Sequence, residues 1–323
     1  MLSEGCKKYP RKKDLITRFE ELYKIVIYAS TMRVGNVIDL HFSLDFINPE
    51  YIEDEGYIED VIKTLFEVIL NPNVCNDEFD LKTFNIVKER LRREINSLKE
   101  NPVKQSIKEA IKTMDSNSPT SYEILGTIEE LENITPAKLY NAYKSLRKNF
   151  KVDVFLIGNL DMDNVASLIK KYFKNRYIVS DNFEVMVDNK ETKKVKEKAM
   201  KSDNIQTNLV MLFNLKNLSE LEKNITLNCF NYLYGSGGLT SKLYKSIREE
   251  NSLCYAINSM YLKYDKLLMV QISLDNCNVK KAISLVKKEL KSMQNGNFSE
   301  EEVRDAINNM VISLDMSLDN NIA

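Results

Sequence analysis

Residues able to hold a catalytic metal are scarce in this sequence, because histidine occurs once, as His41. A catalytic zinc site usually takes two or three histidines. His41 precedes Phe42 in a stretch where polar and apolar residues alternate, a pattern typical of a strand. A surface imidazole or a hydrogen-bonded core imidazole is the simpler interpretation there, with metal binding as the alternative. The sequence therefore predicts no complete zinc site within this chain.

Cysteines and one glycine cluster are the other groups that could carry chemistry. The cluster Gly235-Ser-Gly-Gly238 lacks the glycine-lysine pairing of a phosphate loop, so we expect a flexible turn before a helix rather than a nucleotide site. The cysteine number is odd and no CxxC pair occurs, which is typical of reduced thiols in a cytosolic protein. The five cysteines are Cys6, Cys75, Cys229, Cys254 and Cys277.

Composition narrows the possible partners. The 323 residues include 46 basic and 47 acidic side chains, for a net charge of -1. This balance argues against nucleic acid, since no basic excess is available to neutralise phosphates. No apolar run approaches the roughly 18 residues of a membrane span, and the first residues lack the apolar core of a signal peptide. We therefore expect a cytoplasmic protein without a membrane or nucleic-acid partner.

Helix signals dominate the first half of the chain. Residues 58–70 carry a one-sided apolar stripe that Asn71-Pro72 ends, and a second helix is predicted over about residues 78–100. Thr135-Pro136 reads as an N-cap with proline in the first turn of another helix. The apolar run VDVFLIG at residues 152–158 then predicts a short buried strand.

A polar, charged stretch at residues 188–203 is the best linker candidate. We accordingly divide the chain into a first domain at 1–176, a linker at 177–203 and a second domain at 204–323. The elements predicted after the linker are a strand at 208–215, helices at about 220–233 and 240–250, and strands near 253–261 and 267–274.

A weak internal repeat supports two similar domains. HFSLDF (41–46) and VQISLDN (270–276) each precede an amphipathic helix and then a longer helix, which in the second copy Ser299 opens. The shared order carries more weight than the shared SLD, since three residues often match by chance. Helices packed on one face of a mostly antiparallel sheet would bury these stripes. We expect an α+β fold of two α/β-sandwich domains, both truncated at the chain ends.

Two segments together resemble the insulinase/pitrilysin-like zinc peptidases. GTIEELENIT (126–135), followed by a helix and VDVFLIGNLD (152–161), is similar to the end of the family's first domain. GGLTSKLYKSIREENSLCY (237–255) is similar to the signature of its second domain. The similarity covers nearly the whole chain. The first hundred residues most resemble a bacterial subtype that lacks the zinc motif and occurs with a motif-bearing sister.

The resemblance implies that most of the zinc site is missing. The family's motif is His-x-x-Glu-His on a helix, with two histidines facing one metal and the glutamate polarising the attacking water. EGCKKYP (4–10) follows that motif closely, so the motif would lie before Met1. The third ligand, a glutamate, falls on Glu94. Because Glu94 lies in a charged helix face and could pair with Arg90, we expect a solvated, vestigial residue.

The resemblance also implies a pair of substrate-binding side chains. Active relatives carry an arginine and a tyrosine seven residues apart that reach the zinc site and hold the substrate backbone and the developing oxyanion. Arg248 and Tyr255 match that spacing within REENSLCY. A guanidinium and a phenol are fixed donors suited to negative charge. The alternative is an arginine favoured by a helix C-terminus and a tyrosine packed in a strand.

Three functions follow from the resemblance. The first is a non-catalytic subunit of a heteromeric zinc peptidase, with Arg248 and Tyr255 here and zinc in a motif-bearing sister subunit. A homodimer is the alternative partner, and an unfolded peptide is the substrate. The second is a structural or peptide-binding homologue without a catalytic role. The third is a fragment of an active zinc peptidase whose motif lies upstream. In each case no cofactor is expected in this chain.

Overall fold

The computed structural model describes residues 1–149, 151–173, 184–190, 194–201 and 204–318. Contacts divide the chain into two compact units that are not consecutive in sequence. Unit 1 comprises Met1–Arg33, Ile38–Asn96 and Glu123–Phe183, and unit 2 comprises Val34–Val37, Ser97–Tyr122 and Glu184–Ala323.

Unit 1 is mostly helical, with two small two-stranded sheets, β1-β2 and β3-β4. Its elements are α1 (Lys12–Glu21), β1 (Val26–Val34), β2 (Val37–Asp45), α2 (Tyr57–Leu70), β3 (Val74–Cys75), β4 (Glu78–Phe79), α3 (Leu81–Glu100, whose last turn belongs to unit 2), α5 (Ile128–Glu132), α6 (Pro136–Asn149) and α7 (Met162–Lys170).

Helix α2 organises the interior of unit 1 because its apolar stripe faces two clusters. Tyr57 and Val61 are buried with residues of the α1–β1 connection, while Ile62 and Phe66 are buried with Val165 of α7. Burial of this apolar stripe, worth about 25 cal/mol per Å² of apolar surface, holds the helix in place. The amphipathic spacing predicted at residues 58–70 is thus confirmed.

The strand predicted at residues 152–158 is wrong. These residues form no strand, and Val154 and Phe155 are 51% and 83% exposed. An apolar, β-branched run becomes a strand only where another strand pairs with its backbone, and none does so among the described residues. Leu156 alone packs against the α2–α7 cluster.

Unit 2 contains a three-stranded antiparallel sheet in the order β5-β7-β6. A helical run at residues 220–236 includes two π-helical segments, and a third π-helical segment precedes β6. The elements are α4 (Pro102–Met114), β5 (Thr207–Asn214), π segments Glu222–Thr226 and Tyr232–Ser236 around α8 (Leu227–Asn231), π segment Tyr244–Glu249, β6 (Cys254–Leu262), β7 (Leu267–Leu274), α9 (Val279–Gln294) and α10 (Glu300–Leu318).

The core of unit 2 lies on one face of this sheet. Alternate residues of the central strand β7 point into it, and helix α9 contributes Ala282, Val286 and Met293. The register aligns the faces, since Ile272 pairs with Leu209 of β5 and with Ile257 of β6. Every second residue of the strands therefore packs against the helix face on which buried residues recur about every 3.6 residues. The buried β7 residues on this face are Leu268, Val270, Ile272 and Leu274.

Most of the predicted elements are confirmed. β7 occupies the predicted residues, and Ser299 caps α10 by accepting the Glu302 N–H at 3.1 Å. β2–α2–α3 and β7–α9–α10 share the predicted order of strand, helix and longer helix, although β3 and β4 lie between α2 and α3. The α+β class with an antiparallel sheet is confirmed. Within the described ranges, none of the helices is long and apolar enough to cross a membrane.

Candidate functional site

Arg248 lies near the end of the π-helical segment Tyr244–Glu249 and is exposed to solvent. The segment is held by its other face, where Leu243 and Ile247 are fully buried. The Arg248 guanidinium lies over the Tyr244 ring, 5.2 Å from its centroid. A cation over an aromatic face is attracted by the ring quadrupole, so this contact orients the guanidinium without neutralising it.

A tight reversal joins Arg248 to the next strand. Ser252 adopts a left-handed conformation at φ 49°, and its N–H donates to the Arg248 carbonyl at 3.0 Å. The Leu253 N–H then donates to the Ile247 carbonyl at 3.0 Å, and the Asn251 amide donates to the Ser246 carbonyl at 2.7 Å. These hydrogen bonds satisfy carbonyl groups at the end of the helical segment. They also place the first residues of β6 beside the segment that carries Arg248.

Tyr255 lies at a β-bulge in β6. Cys254 pairs with Leu274 and Ala256 pairs with Ser273, so Tyr255 is the extra residue between them. A bulge interrupts the alternation of side chains, and here Tyr255 and Ala256 are both exposed, Tyr255 by 51%. Bulges are frequent beside active sites, where they re-aim a side chain.

The Tyr255 hydroxyl donates to Oδ1 of Asp275 at 3.1 Å. Asp275 directly follows β7, so the same strand pairing that forms the sheet brings these two side chains together. The hydrogen bond to Asp275, together with its negative charge, raises the pKa of the Tyr255 phenol. Tyr255 is therefore a protonated phenol over a wide pH range.

Arg248 and Tyr255 lie at the two ends of one short connection, yet their side chains do not contact each other among the described residues. Each has its own partner. Burial raises the pKa of the thiol of Cys254, the neighbour of Tyr255, and the Arg248 charge opposes that rise. The two polar ends thus remain separately available to a ligand.

The predicted metal-ligand candidates belong to unit 1, whereas Arg248 and Tyr255 belong to unit 2. Glu94 is exposed on α3, and Arg90 pairs with Glu4 at 2.7 Å. His41 is exposed on β2. Within the described residues, no group of three or more histidine, cysteine, aspartate or glutamate side chains could hold a metal ion.

Sequence reasoning missed Asp275 and the role of Gly235. The SLD triplet contains Asp275, but nothing in the triplet shows that it meets Tyr255. Gly235 was expected in a flexible turn. It is instead buried in a π-helical segment, where an added Cβ would lie 2.6 Å from Oγ of Ser259 on β6. The glycine permits close packing of that segment on the strand that carries Tyr255.

Comparison with known proteins identifies the family to which the chain belongs. Residues 133–310, more than half of the chain, match the family model described as the peptidase M16 inactive domain. The chain belongs to the peptidase M16 family. The insulinase/pitrilysin-like resemblance is thereby confirmed, and the matched residues of this M16 chain include Arg248, Tyr255 and Asp275.

Proteins similar to this M16 chain include a probable inactive metalloprotease and solved structures of the same fold. The probable inactive metalloprotease YmfF of Bacillus subtilis (strain 168) is 26% identical over 306 residues, which are 94% of this chain and 71% of that protein. A conserved protein from Enterococcus faecalis V583 superposes with a TM-score of 0.89 at 22% identity, over 99% of this chain and 75% of that one. The peptidase M16 inactive domain from Pseudomonas fluorescens gives 0.71 at 15%, over 99% and 74%.

Proposed function

We propose that this chain is a non-catalytic subunit of a heteromeric zinc peptidase. A sister subunit would supply the His-x-x-Glu-His motif and the zinc ion. This chain would supply Arg248, Tyr255 and part of the chamber that holds an unfolded peptide. We propose a cytoplasmic location for the complex.

The observation that carries the proposal is an exposed Arg248–Tyr255 pair in a chain that matches the M16 inactive domain. Zinc and an activated water generate a tetrahedral intermediate with negative charge, and a fixed guanidinium stabilises that charge.

Strand β6 supports peptide binding by its position. It is an edge strand in the order β5-β7-β6, so one side of its backbone is unpaired among the described strands. An extended peptide can add to such an edge through main-chain hydrogen bonds. Tyr255 lies at the start of this strand, and Arg248 lies just before it.

Co-purification with a motif-bearing sister, followed by a peptide-cleavage assay, tests the proposal. Arg248→Ala in the active complex removes one charge-stabilising donor, whose loss costs about 2.7–4 kcal/mol or roughly 10²–10³-fold in kcat in other enzymes. We expect a loss of that order in kcat/KM, with Arg248→Lys intermediate because lysine keeps the charge without the planar fork.

Arg304→Ala is the matched control, since Arg304 is also exposed in unit 2, on α10. It should leave kcat/KM unchanged. If Arg248→Ala also leaves kcat/KM unchanged in an active complex, Arg248 has no role in trans. Failure to isolate any stoichiometric peptidase partner would instead favour a structural or peptide-binding homologue.

A further inference from the structure

Helix α9 presents a row of unpaired lysines to solvent. The helix packs on the core of unit 2 through Ala282, Val286 and Met293. At 3.6 residues per turn, its lysines fall within an arc of about 120° on the opposite side. Their side chains are exposed and make no ion pair or hydrogen bond among the described residues. The members of this α9 basic face are Lys280, Lys281, Lys287, Lys288 and Lys291.

The stability of α9 does not explain this charge. Lys280 and Lys281 lie in the first turn, which contains no acidic residue, and the helix dipole disfavours cations there. Two of the other lysines are four residues apart, a spacing at which like charges repel. On α3, by contrast, Arg92 pairs with Glu132. The concentrated charge of α9 therefore costs stability in the isolated chain, and an anionic partner would offset that cost.

The connection between β2 and α2 in unit 1 concentrates the opposite charge. Residues 50–60 contain six acidic side chains and no basic one. Part of this charge has a structural role, since Asp60 pairs with Arg18. Glu53 and Glu55, however, are exposed and make no side-chain hydrogen bond or ion pair among the described residues. We call residues 50–60 the acidic connection.

The nature of the basic charge favours a protein surface as the partner. The whole chain has a net charge of -1, so the α9 basic face is not part of a general basic excess. Lysine lacks the planar fork with which arginine binds phosphate in two places. No aromatic residue lies between the lysines of α9, so bases would find no ring on which to stack. Carboxylates on a protein are the anions that remain, and a second copy of this chain carries them.

We propose that the α9 basic face of one copy binds the acidic connection of a second copy. Each copy carries both patches, so two such contacts about a two-fold axis would close a dimer. Ion pairs at an exposed interface are weak one by one and are screened by salt. The association is therefore weak and depends on ionic strength. It does not depend on the proposed peptidase function, since neither Arg248 nor Tyr255 takes part.

Sedimentation velocity of the full chain is the first test. Concentrations up to the high-micromolar range are compared at low salt and at about 1 M NaCl, where charges are screened beyond about 3 Å. We expect a dimer at low salt and a monomer at high salt. A chain that stays monomeric at low salt would overturn the proposal, and so would a dimer that high salt leaves intact.

Charge exchange then identifies the surfaces. One variant carries Lys287→Glu, Lys288→Glu and Lys291→Glu, and the other carries Glu53→Lys and Glu55→Lys. Each variant alone should have a dissociation constant raised about tenfold or more, because attraction becomes repulsion in both contacts. An equimolar mixture should dimerise again, since each reversed patch then meets an opposite charge. A mixture that stays monomeric would show that these two patches do not bind each other.

The matched control reverses the same number of charges elsewhere in unit 2. Lys104, Lys194 and Lys201 are exposed and make no side-chain hydrogen bond or ion pair among the described residues. Their triple replacement by glutamate should leave dimerisation as in wild type. An equal loss in this control would assign the effect to net charge and overturn the role of α9. If wild type stays monomeric but binds phosphatidylserine vesicles through the α9 lysines, the partner is a membrane and the proposal is wrong.

Discussion

Substitution of Gly235 by alanine tests whether close packing on β6 supports the Arg248–Tyr255 site. Gly235 is buried, and an added Cβ would lie 2.6 Å from Oγ of Ser259, 2.8 Å from its Cβ and 2.9 Å from Cδ1 of Leu243. Contacts below 3.0 Å require a neighbour to move. Leu243 can rotate, but the Cβ of Ser259 is fixed to a strand whose backbone pairs with β7.

The expected cost follows from two opposing terms. Overpacking a buried site costs about 1–3 kcal/mol, and the upper half of that range applies where a strand backbone must shift. Alanine recovers up to about 1 kcal/mol through its better helix propensity. Gly235 has no positive φ, so no backbone strain adds to the sum. The net loss for Gly235→Ala is about 1–2 kcal/mol, which in a chain of 323 residues corresponds to roughly 1–3 °C in Tm.

Urea and thermal unfolding of the purified chain measure this loss. Gly56→Ala is the control, because the φ of Gly56 is -92° and its added Cβ would meet one side-chain atom at 3.6 Å. It should change stability by no more than about 0.5 kcal/mol. Gly235→Ala combined with Ser259→Gly removes both Ser259 contacts and should recover part of the loss. A Gly235→Ala protein as stable as wild type would refute the packing argument.

Two further predictions concern polar contacts in unit 2. Thr120→Val removes a buried hydroxyl that donates to Oδ1 of Asp265 at 2.7 Å. We expect the free energy of unfolding in urea to fall by about 1–3 kcal/mol, whereas Thr120→Ser should stay close to wild type because it keeps the hydroxyl. Equal losses in both variants would contradict this prediction. Lys242 lies 2.7 Å and 2.9 Å from the two carboxylate oxygens of Glu302 and lowers the pKa of that carboxyl. A carboxyl whose pKa is lowered in the folded state stabilises the protein at pH values above its unfolded-state pKa, and this stabilisation is lost as pH falls through the folded-state pKa. Lys242→Met should therefore lower the urea midpoint near about pH 7 and leave it unchanged near about pH 3. A difference between the two proteins that is independent of pH would exclude the ion pair as its cause.

Signals that act within a few residues made most of the fold predictable. The apolar stripe of α2 needs only a 3.6-residue period, and the Thr135 hydroxyl accepts the Lys138 N–H at 3.2 Å as its N-cap spacing predicts. The bounds of β7 follow from a buried apolar run followed by aspartate. Each of these features is determined by residues close in sequence, so the sequence of a single segment is enough to predict it.

Features that depend on distant partners were missed. Residues 152–158 have strand composition, but a strand also needs a neighbour, and composition does not specify one. Helix α4 was missed although Asn101 caps it by accepting the Lys104 N–H at 3.0 Å, because Asn101-Pro102 reads equally well as an end or as a start. The bulge at Tyr255 arises from the register of β6 on β7, which no local pattern in REENSLCY encodes.

The internal repeat allows the aspartates at two equivalent strand–helix junctions to be compared. The SLD triplet ends a strand and precedes an amphipathic helix in both units, with Asp45 in the first and Asp275 in the second. If the junction of strand and helix required this aspartate, both carboxylates would make an equivalent bond. Asp45 makes no side-chain hydrogen bond among the described residues, whereas Asp275 accepts from Tyr255. The bond therefore accompanies the Arg248–Tyr255 pair, and the unit that lacks such a pair lacks the bond as well.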